Sequence, residues 1–441
     1  MRDKPAGSHG AQPWREVRLG DVMSTLRNGT ASQQVKETTP YPVTRIETIS
    51  DGFVDIRKVG YLLRPEPGHL LRRGDILYSH INSLKHMGKV AYVDECSALF
   101  HGMNLLLIRI EESQSDPRFC FRVLQSDIGR AHARRECKSA INQASLNHTD
   151  VAALTFRLPP LPEQRRIAEI LDTLDEAIRK TERVISKLQQ MKQGLLHDLL
   201  TRGIDENGEL RDPERRPEQF QDSPLGRIPK EWEVLSLGSL DVDLIDGDRG
   251  HEYPKSTDFL SDGFCLFLSA ENVTREGFVF DETVFISESK HRRLRKGTVE
   301  RGDIVVTTRG TLGNFGYFDD TIQFDVLRIN SGMVIIRSAG GRVATPFLYE
   351  VLRSGFTERQ IDLNGYGSAQ PQLNLGILAR LLVAVPPKHE QDMLLEAIRA
   401  ANERLRFEDH ALRKLRTCQQ GLTNDLLTGR VRVHVPLAAD A

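Results

Sequence analysis

Several residue groups in this chain have the types that do chemistry elsewhere, and each falls short of a complete site. A methyltransferase acting on a base amine needs an Asn/Asp-Pro-Pro-aromatic loop, but Pro159-Pro160 and Pro386-Pro387 are followed by Leu161 and Lys388, which offer no aromatic platform. Gly310, Gly313 and Gly316 suggest a phosphate cradle, yet no Lys-Ser/Thr follows and there is no dinucleotide fingerprint, so they read as a tight turn. Asp175-Glu176-Ala177-Ile178 resembles an ATPase acidic box without an upstream phosphate loop, and reads as solvated helix charge. Asp281, Glu288 and Lys290 hold the residue types of a magnesium nuclease, in a triplet common to charged loops. His80, His86 and His101 lack the spacing of metal ligands. The five cysteines, Cys96, Cys120, Cys137, Cys265 and Cys418, include no CxxC pair, which leaves neither a zinc cage nor a disulfide framework. The chain is therefore expected to be no enzyme by itself and to bind no cofactor or metal of its own.

The elements are more informative, because the chain repeats. Arg73-Gly74-Asp75-Ile76 recurs as Arg301-Gly302-Asp303-Ile304, displaced by 228. Pro159-Pro160, Glu163-Gln164, Gly194-Leu195 and Asp198-Leu-Leu-Thr201 recur displaced by 227 as Pro386-Pro387, Glu390-Gln391, Gly421-Leu422 and Asp425-Leu-Leu-Thr428. Trp14 with Leu19-Gly20 matches Trp232 with Leu237-Gly238, displaced by 218. Ordered landmarks at nearly constant offset imply a duplicated unit of half the chain.

Each copy opens with short β-rich runs such as Gly74 to Tyr78, Leu105 to Ile110, Ile304 to Thr308 and Met333 to Arg337, broken by Gly, Asp, Asn and Ser. Each closes with a proline-bounded segment and about forty residues of helical pattern, proline being tolerated at a helix start. In the first helix Ile167, Leu171, Leu174, Ile178, Ile185 and Leu188 step alternately by four and three, with Thr181 as a polar member. The second carries Leu394, Ile398, Ala401, Leu405, Leu412 and Leu415, with Glu408 at the place of Thr181. Such a helix is about 60 Å long at 1.5 Å per residue, too long to bury within one module, so the two are expected to pack on each other.

The resulting fold class is α+β: two mixed, strand-rich modules and two long helices packed as an antiparallel coiled coil, with an internal pseudo-twofold repeat. The expected boundaries are a first module over 1–160, helix 161–203, an extended connector over 204–231 punctuated by Pro213, Pro217, Pro224 and Pro229, a second module over 232–385, helix 386–430 and a tail over 431–441. Sixty Lys+Arg against 61 Asp+Glu give a net charge of −1, so any polyanion must be held by local patches rather than bulk charge. No apolar run reaches the roughly 18 residues of a membrane span and Met1 to Trp14 has no signal core, so neither secretion nor membrane insertion is expected, and the few scattered cysteines fit a reducing cytoplasm.

The passage Leu158-Pro-Pro-Leu-Pro-Glu-Gln-Arg-Arg-Ile-Ala-Glu-Ile-Leu171, leading to Gly194-Leu-Leu-His-Asp-Leu-Leu-Thr201, resembles the first central region of a type I restriction-modification specificity subunit. The connector end Leu225-Gly-Arg-Ile-Pro-Lys-Glu-Trp232 and the terminal Asp425-Leu-Leu-Thr-Gly-Arg-Val-Arg-Val433 extend the resemblance over nearly the whole chain. It implies two target-recognition domains, each reading one half of a split double-stranded DNA site, spaced by two conserved helices. It also implies two modification subunits docked on those helices, with restriction (translocase-nuclease) subunits joining through them. S-adenosylmethionine, ATP and Mg would then sit on the partners. The second helix departs from the pattern, since Val385-Pro-Pro-Lys-His-Glu-Gln391 lacks the Leu-Pro of the first copy. A related methylase-nuclease fusion system is the alternative within this class, and a coiled-coil protein-interaction scaffold the alternative outside it.

On this resemblance, base-reading residues are expected in polar loops beside the strand entries, since directional donors and acceptors read bases while Arg and Lys hold phosphates. In the first copy these are Ser79, His80, Asn82, Ser83 and Lys85, and in the second Thr308, Arg309, Thr311 and Asn314. A second shared loop adds Gln143 and Gln370, which read adenine or else cap the following helix. Arg292 and Arg293, in a basic run from Lys290 to Lys296, are the candidate phosphate contacts. The modules differ strongly outside their landmarks, so an asymmetric target with a fixed gap between its halves is expected.

Overall fold

In the computed structural model, which describes residues 13–50, 52–65, 68–83, 87–94, 98–140, 143–365 and 372–433, each Arg-Gly-Asp-Ile tetrapeptide is a left-handed turn feeding a central strand. Gly74 and Gly302 both sit at φ +92°, where a side chain would be strained. The aspartate that follows is buried and closes the turn. Asp75 accepts from Arg72 N at 2.8 Å and takes the forked guanidinium of Arg109 at 2.7 and 2.8 Å. Asp303 repeats this with Glu300 N at 2.7 Å and Arg337 at 2.9 and 2.7 Å. The tetrapeptide is therefore a structural device that ties two neighbouring strands by a bidentate pair.

The chain divides into two units, Met1–Arg183 with Asp409–Ala441, and Val184–Glu408. In the first, a six-stranded sheet runs in the order Met23–Asn28, Leu106–Ile110, Ile76–Tyr78, Val90–Tyr92, Gly52–Val54, Ile49–Ser50. Its neighbours are antiparallel except Val90–Tyr92 against Gly52–Val54. Successive side chains of a strand face opposite sides, so Ile76, Tyr78, Leu106 and Ile108 join the core under the helices Pro117–Gln125 and Asp127–Glu136. Leu77, Leu105 and Leu107 fill a second core on the other face. Burial on both faces explains why Leu105 to Ile108 is an unbroken apolar run.

The second unit has two four-stranded sheets. One is antiparallel, in the order Val242–Asp246, Met333–Ser338, Ile304–Thr307, Phe315–Tyr317. The other runs Phe285–Ile286, Cys265–Leu268, Leu327–Ile329, Thr298–Val299, with its central pair parallel. Ile304, Val306, Val334 and Ile336 face one core, while Val305, Met333 and Ile335 face the other.

Each module ends in a two-stranded clasp, Arg15–Arg18 on Thr155–Leu158 and Glu233–Ser236 on Leu382–Val385, that delivers the chain to a long helix. The helices are Leu161–Arg202 and Lys388–Thr428. A buried glutamine fixes each start. Gln164 donates to Pro159 O at 2.7 Å and accepts from Ser115 Oγ and Asp116 N at 2.9 and 2.8 Å. Gln391 donates to Pro386 O and Arg342 O at 2.9 and 2.8 Å and accepts from Ala344 N at 2.9 Å. Gly203 (φ +62°) and Gly429 (φ +74°) end the helices, the left-handed glycine supplying the usual stop.

Within the first unit the start of the first helix, through Ile167 and Leu171, shares a core with Leu426 and Leu427 at the end of the second. Within the second unit Leu199 and Leu200 share a core with Leu394, Leu395 and Ile398. The helices thus pack on each other, as the seam implied, and run antiparallel, as the family resemblance implied. Ile178 and Ile185 are buried, whereas the polar member Thr181 is half-exposed and donates back to Ala177 O at 3.0 Å.

The stretch expected as an extended connector is built into the second unit. Phe220–Ser223 and Gly226–Pro229 form a hairpin, and Ile204 and Ile228 enter the core. Pro213 and Pro224 lie in turns, Pro217 opens a short 3-10 helix and Pro229 ends the hairpin, and the few apolar side chains are what the charge-rich pattern concealed.

The landmark Trp and Glu of each copy meet. Trp14 Nε1 donates to Glu163 at 3.1 Å, and Arg432 forks onto the same carboxylate at 2.8 and 2.8 Å while its guanidinium lies 5.5 Å from the Trp14 ring centroid. Trp232 Nε1 donates to Glu390 at 3.0 Å, with Arg211 and the Ile204 amide (2.8 Å) as the other donors. In each unit one carboxylate at a helix start therefore joins the module's first strand to the segment just past the end of the other helix.

Candidate nucleic-acid interface

The polar loops lie where the central strands run out. In the first unit Ser79 is fully buried, its N–H donating to Lys89 O (2.8 Å) and its hydroxyl accepting from Asn82 Nδ2 (3.1 Å). It shapes the turn from within. His80 is 7% exposed, its Nδ1 is buried without a hydrogen-bond partner in this structure, and burial pushes its imidazole down to about 4. The ring is thus neutral near pH 7, suited to hydrogen bonding rather than to phosphate charge. Asn82 is half-buried, with Oδ1 accepting from Ser83 N at 2.8 Å, and Ser83 is exposed.

The two loops singled out in this copy form one structure. Leu146 N donates to His80 O at 2.8 Å, and the strand Gln143–Ser145 pairs with Ile81–Asn82, Ala144 opposite Asn82. Lys85 and the side chain of Gln143 lie outside the described residues. The basic helix Asp127–Glu136 is close by, since a Cβ on Gly88 would stand 2.8 Å from that of Ala133. Arg130, Arg134 and Arg135 on that helix are exposed.

The second unit repeats the plan. Thr308 is buried, its N–H donating to Gly332 O at 2.8 Å and its carbonyl accepting from Leu373 N at 3.1 Å, which joins the turn to the segment after the second loop. Gln370 lies outside the described residues. Asn314 is buried and turned inward, Nδ2 donating to Val273 O at 2.9 Å, so it holds the turn. Arg309 and Thr311 are exposed on that turn, between glycines at φ +74° (Gly310) and +72° (Gly313). The glycine pair reads here as backbone geometry, in keeping with the absence of a phosphate-loop lysine.

Arg292 and Arg293 end the short helix Glu288–Arg293 with side chains 75% and 57% exposed. Their pairs with Glu288 and Glu252 are surface contacts worth at most about 1 kcal/mol each, so both guanidiniums can exchange a carboxylate for a phosphate. Lys290 is buried against Asp258 at 3.2 Å and Glu252 at 3.8 Å, a structural ion pair rather than a free cation. The helix connects to the Thr308 turn through Tyr253, next to Glu252; the Tyr253 hydroxyl accepts from Ser331 N at 3.3 Å beside Gly332. Among the described residues no group of three or more His, Cys, Asp or Glu could hold a metal ion, and no helix is long and apolar enough to cross a membrane.

The chain thus holds two copies of one strand-rich module, each tying the turn after its central strand to the chain that leads to the long helix, through Ala144 and Leu146 in one copy and Leu373 in the other. The model for the type I restriction modification DNA specificity domain matches residues 11–190 and again 229–410. The chain belongs to this family. It is 30% identical over 429 residues to a chain assigned as the putative MjaX type I restriction enzyme specificity subunit of Methanocaldococcus jannaschii, covering 96% of this chain and 94% of that one. Its fold is that of the type I restriction-modification S subunit from M. genitalium, with a TM-score of 0.57 at 17% identity over 97% of this chain and 99% of that one. A chain from a structure of type I system assembly and conformational transition gives 0.58 at 17% identity over 96% and 100%.

Sequence reasoning assigned no role to the Trp-Glu-Arg clusters and missed the Asp–Arg pairs. The Trp and Glu are themselves repeat landmarks, and Arg109 and Arg337 stand at the same displacement of 228 as the tetrapeptides, so the repeat held the signal for both.

Proposed function

We propose that this chain is the DNA-reading specificity subunit of a type I restriction-modification complex, each module contacting one half of a split, asymmetric double-stranded target. The observation that carries the reading is the polar turn after the central strand that each copy ties to the chain further on: Asn82 paired with the Gln143 strand in one, and the Thr308-Arg309 turn bonded to Leu373 in the other. Different side chains on the same backbone plan favour two different half-sites. Chemistry belongs to the partners: two modification subunits docked on the long helices and using S-adenosylmethionine, and restriction subunits using ATP and Mg, all in the cytoplasm. In this reading the chain supplies sequence choice and a scaffold.

The test uses the assembled methyltransferase complex with Asn82→Ala and Arg309→Ala chains. Each substitution is expected to relax base preference in one half-site, on the order of 10-fold or more when a specific base partner is removed, and the two variants should affect opposite halves. Methylation motifs identical to the parent's from both variants would remove these edges from the interface.

A further inference from the structure

In each unit one module helix packs against the long helices, Pro117–Gln125 in the first and Thr345–Leu352 in the second. The two are equivalent in place as well as in sequence: the amides of Asp116 and Ala344, displaced by 228, donate to Gln164 and Gln391, the buried glutamines that start the long helices. Their apolar positions are kept, Phe119 with Phe347, Val123 with Val351 and Leu124 with Leu352, all buried. Among these the charge is reversed, because Arg122 stands where the second copy has Glu350.

The long helices reverse with it. In the first unit Arg122 is 6% exposed and is held by the first long helix, Nε donating to Asp172 at 3.1 Å and Nη1 lying 2.5 Å from Asp175. Arg118 adds a bond to Asp172 at 2.7 Å, and Gln419 of the second long helix donates to Asp175. At a displacement of 227 the second unit has Arg399 for Asp172, Asn402 for Asp175 and Lys192 for Gln419. Glu350 is 8% exposed, and Lys192 lies within its field. Burial pulls the Lys192 ammonium below its ordinary value, Glu350 opposes this most strongly and Glu276 helps it, while Arg353 and Arg406 act the other way. Arg399 acts on Tyr317, whose ring stacks at 5.5 Å on that of Tyr349, beside Glu350. The first junction thus offers carboxylates to a module cation, and the second offers cations to a module carboxylate.

We propose that the two junctions are sockets of opposite sign, the first accepting a module that carries a cation at the position of Arg122, the second one that carries a carboxylate at the position of Glu350, each rejecting the other. The kept apolar positions would otherwise let either module pack at either end. A nearly buried charge set against its own sign loses its partner and meets a repulsion as well, and a repulsive element of that kind separates alternatives that share every attractive contact. Sign at one helix position then decides which module sits at which end.

The experiment is a melting series on the full chain. Arg122→Glu gives the first module the sign of the second, and Arg122→Met removes the charge while keeping the bulk. Asp172→Arg, Asp175→Asn and Gln419→Lys together give the first junction the helix charges of the second. Arg122→Glu and the helix triple are each expected to lower the melting temperature by roughly 6–20 °C. Arg122→Met should cost less than Arg122→Glu, and all four substitutions together should recover most of the loss. Arg122→Glu no more harmful than Arg122→Met would overturn the proposal, since sign would then not be rejected. So would a four-substitution chain as unstable as the sum of its parts, since module and helix charges would then be uncoupled. If Arg122→Glu does not fold, the four-substitution chain decides: folding supports the sockets and failure to fold overturns them. In the second unit Lys192→Glu should cost more than Lys192→Met and be relieved by adding Glu350→Lys, and an unrelieved loss counts against the second socket. These readouts concern stability alone and do not depend on the DNA-reading assignment.

Discussion

Glu390→Ala is expected to destabilise the second unit by about 3–5 kcal/mol, because it leaves a largely buried guanidinium without its counter-charge. Glu390 is 1% exposed and Arg211 11%, and the carboxylate also receives Trp232 Nε1 and the Ile204 amide. All three donors would lose this acceptor at once, leaving Arg211 only the exposed Glu231 carboxylate at 3.9 Å and the Arg202 carbonyl at 3.5 Å. At about 2–4 °C per kcal/mol for a domain of this size, the melting temperature should fall by roughly 6–20 °C, with Glu390→Gln intermediate since it still offers one acceptor oxygen. A fall corresponding to less than about 1 kcal/mol, the worth of an exposed pair, would mean that the cluster does not hold the module to the helices.

The matching carboxylate adds a pH signature. Burial pushes the Glu163 carboxyl up, but donation from Arg432, Trp14 and the Val433 amide outweighs it and holds the group below the ordinary value of 4.5. A depressed folded-state pKa stabilises fully above the unfolded value and loses that contribution as pH falls through the folded one. The stability gap between the parent and Glu163→Gln should therefore be constant near neutrality and close as pH is lowered below 4.5. A gap independent of pH would contradict the ionised pair.

The second large effect concerns DNA affinity. Removing Arg292 and Arg293 together should weaken binding to every sequence and lower the slope of log K against log salt by about 1.8, near 0.9 for each phosphate no longer neutralised. Base preference should stay as it was, because phosphate contacts position the duplex without reading it. The buried Lys290 makes a useful contrast: its substitution acts on stability through Asp258 and Glu252, not on the salt slope. An unchanged slope in the double variant would take this helix out of the interface.

What the sequence disclosed was set by how local the cause was. The helices were legible from heptad spacing and prolines, and the landmark Glu-Gln pairs marked their starts, because those signals lie within a few turns of chain. The Arg-Gly-Asp-Ile turns were visible as strand entries, but their purpose was not, since Asp75 meets Arg109 and Asp303 meets Arg337 across a sheet. The hairpin inside the supposed connector was hidden for the same reason: Ile204 and Ile228 are isolated in a charged stretch and acquire meaning only against the core. At the candidate interface, composition drew attention to Ser79 and Asn314, which the fold turns inward. The joining of turn and following loop in the first unit was likewise invisible until strand pairing brought them together.

The most direct measurement is genome-wide adenine methylation by single-molecule sequencing in cells expressing the neighbouring methyltransferase, with and without this chain. A split motif with two different halves and a fixed gap, appearing only when the chain is present, is the predicted result. No difference in methylation, with the complex demonstrably assembled, would contradict the assignment of this chain as the reader of the target.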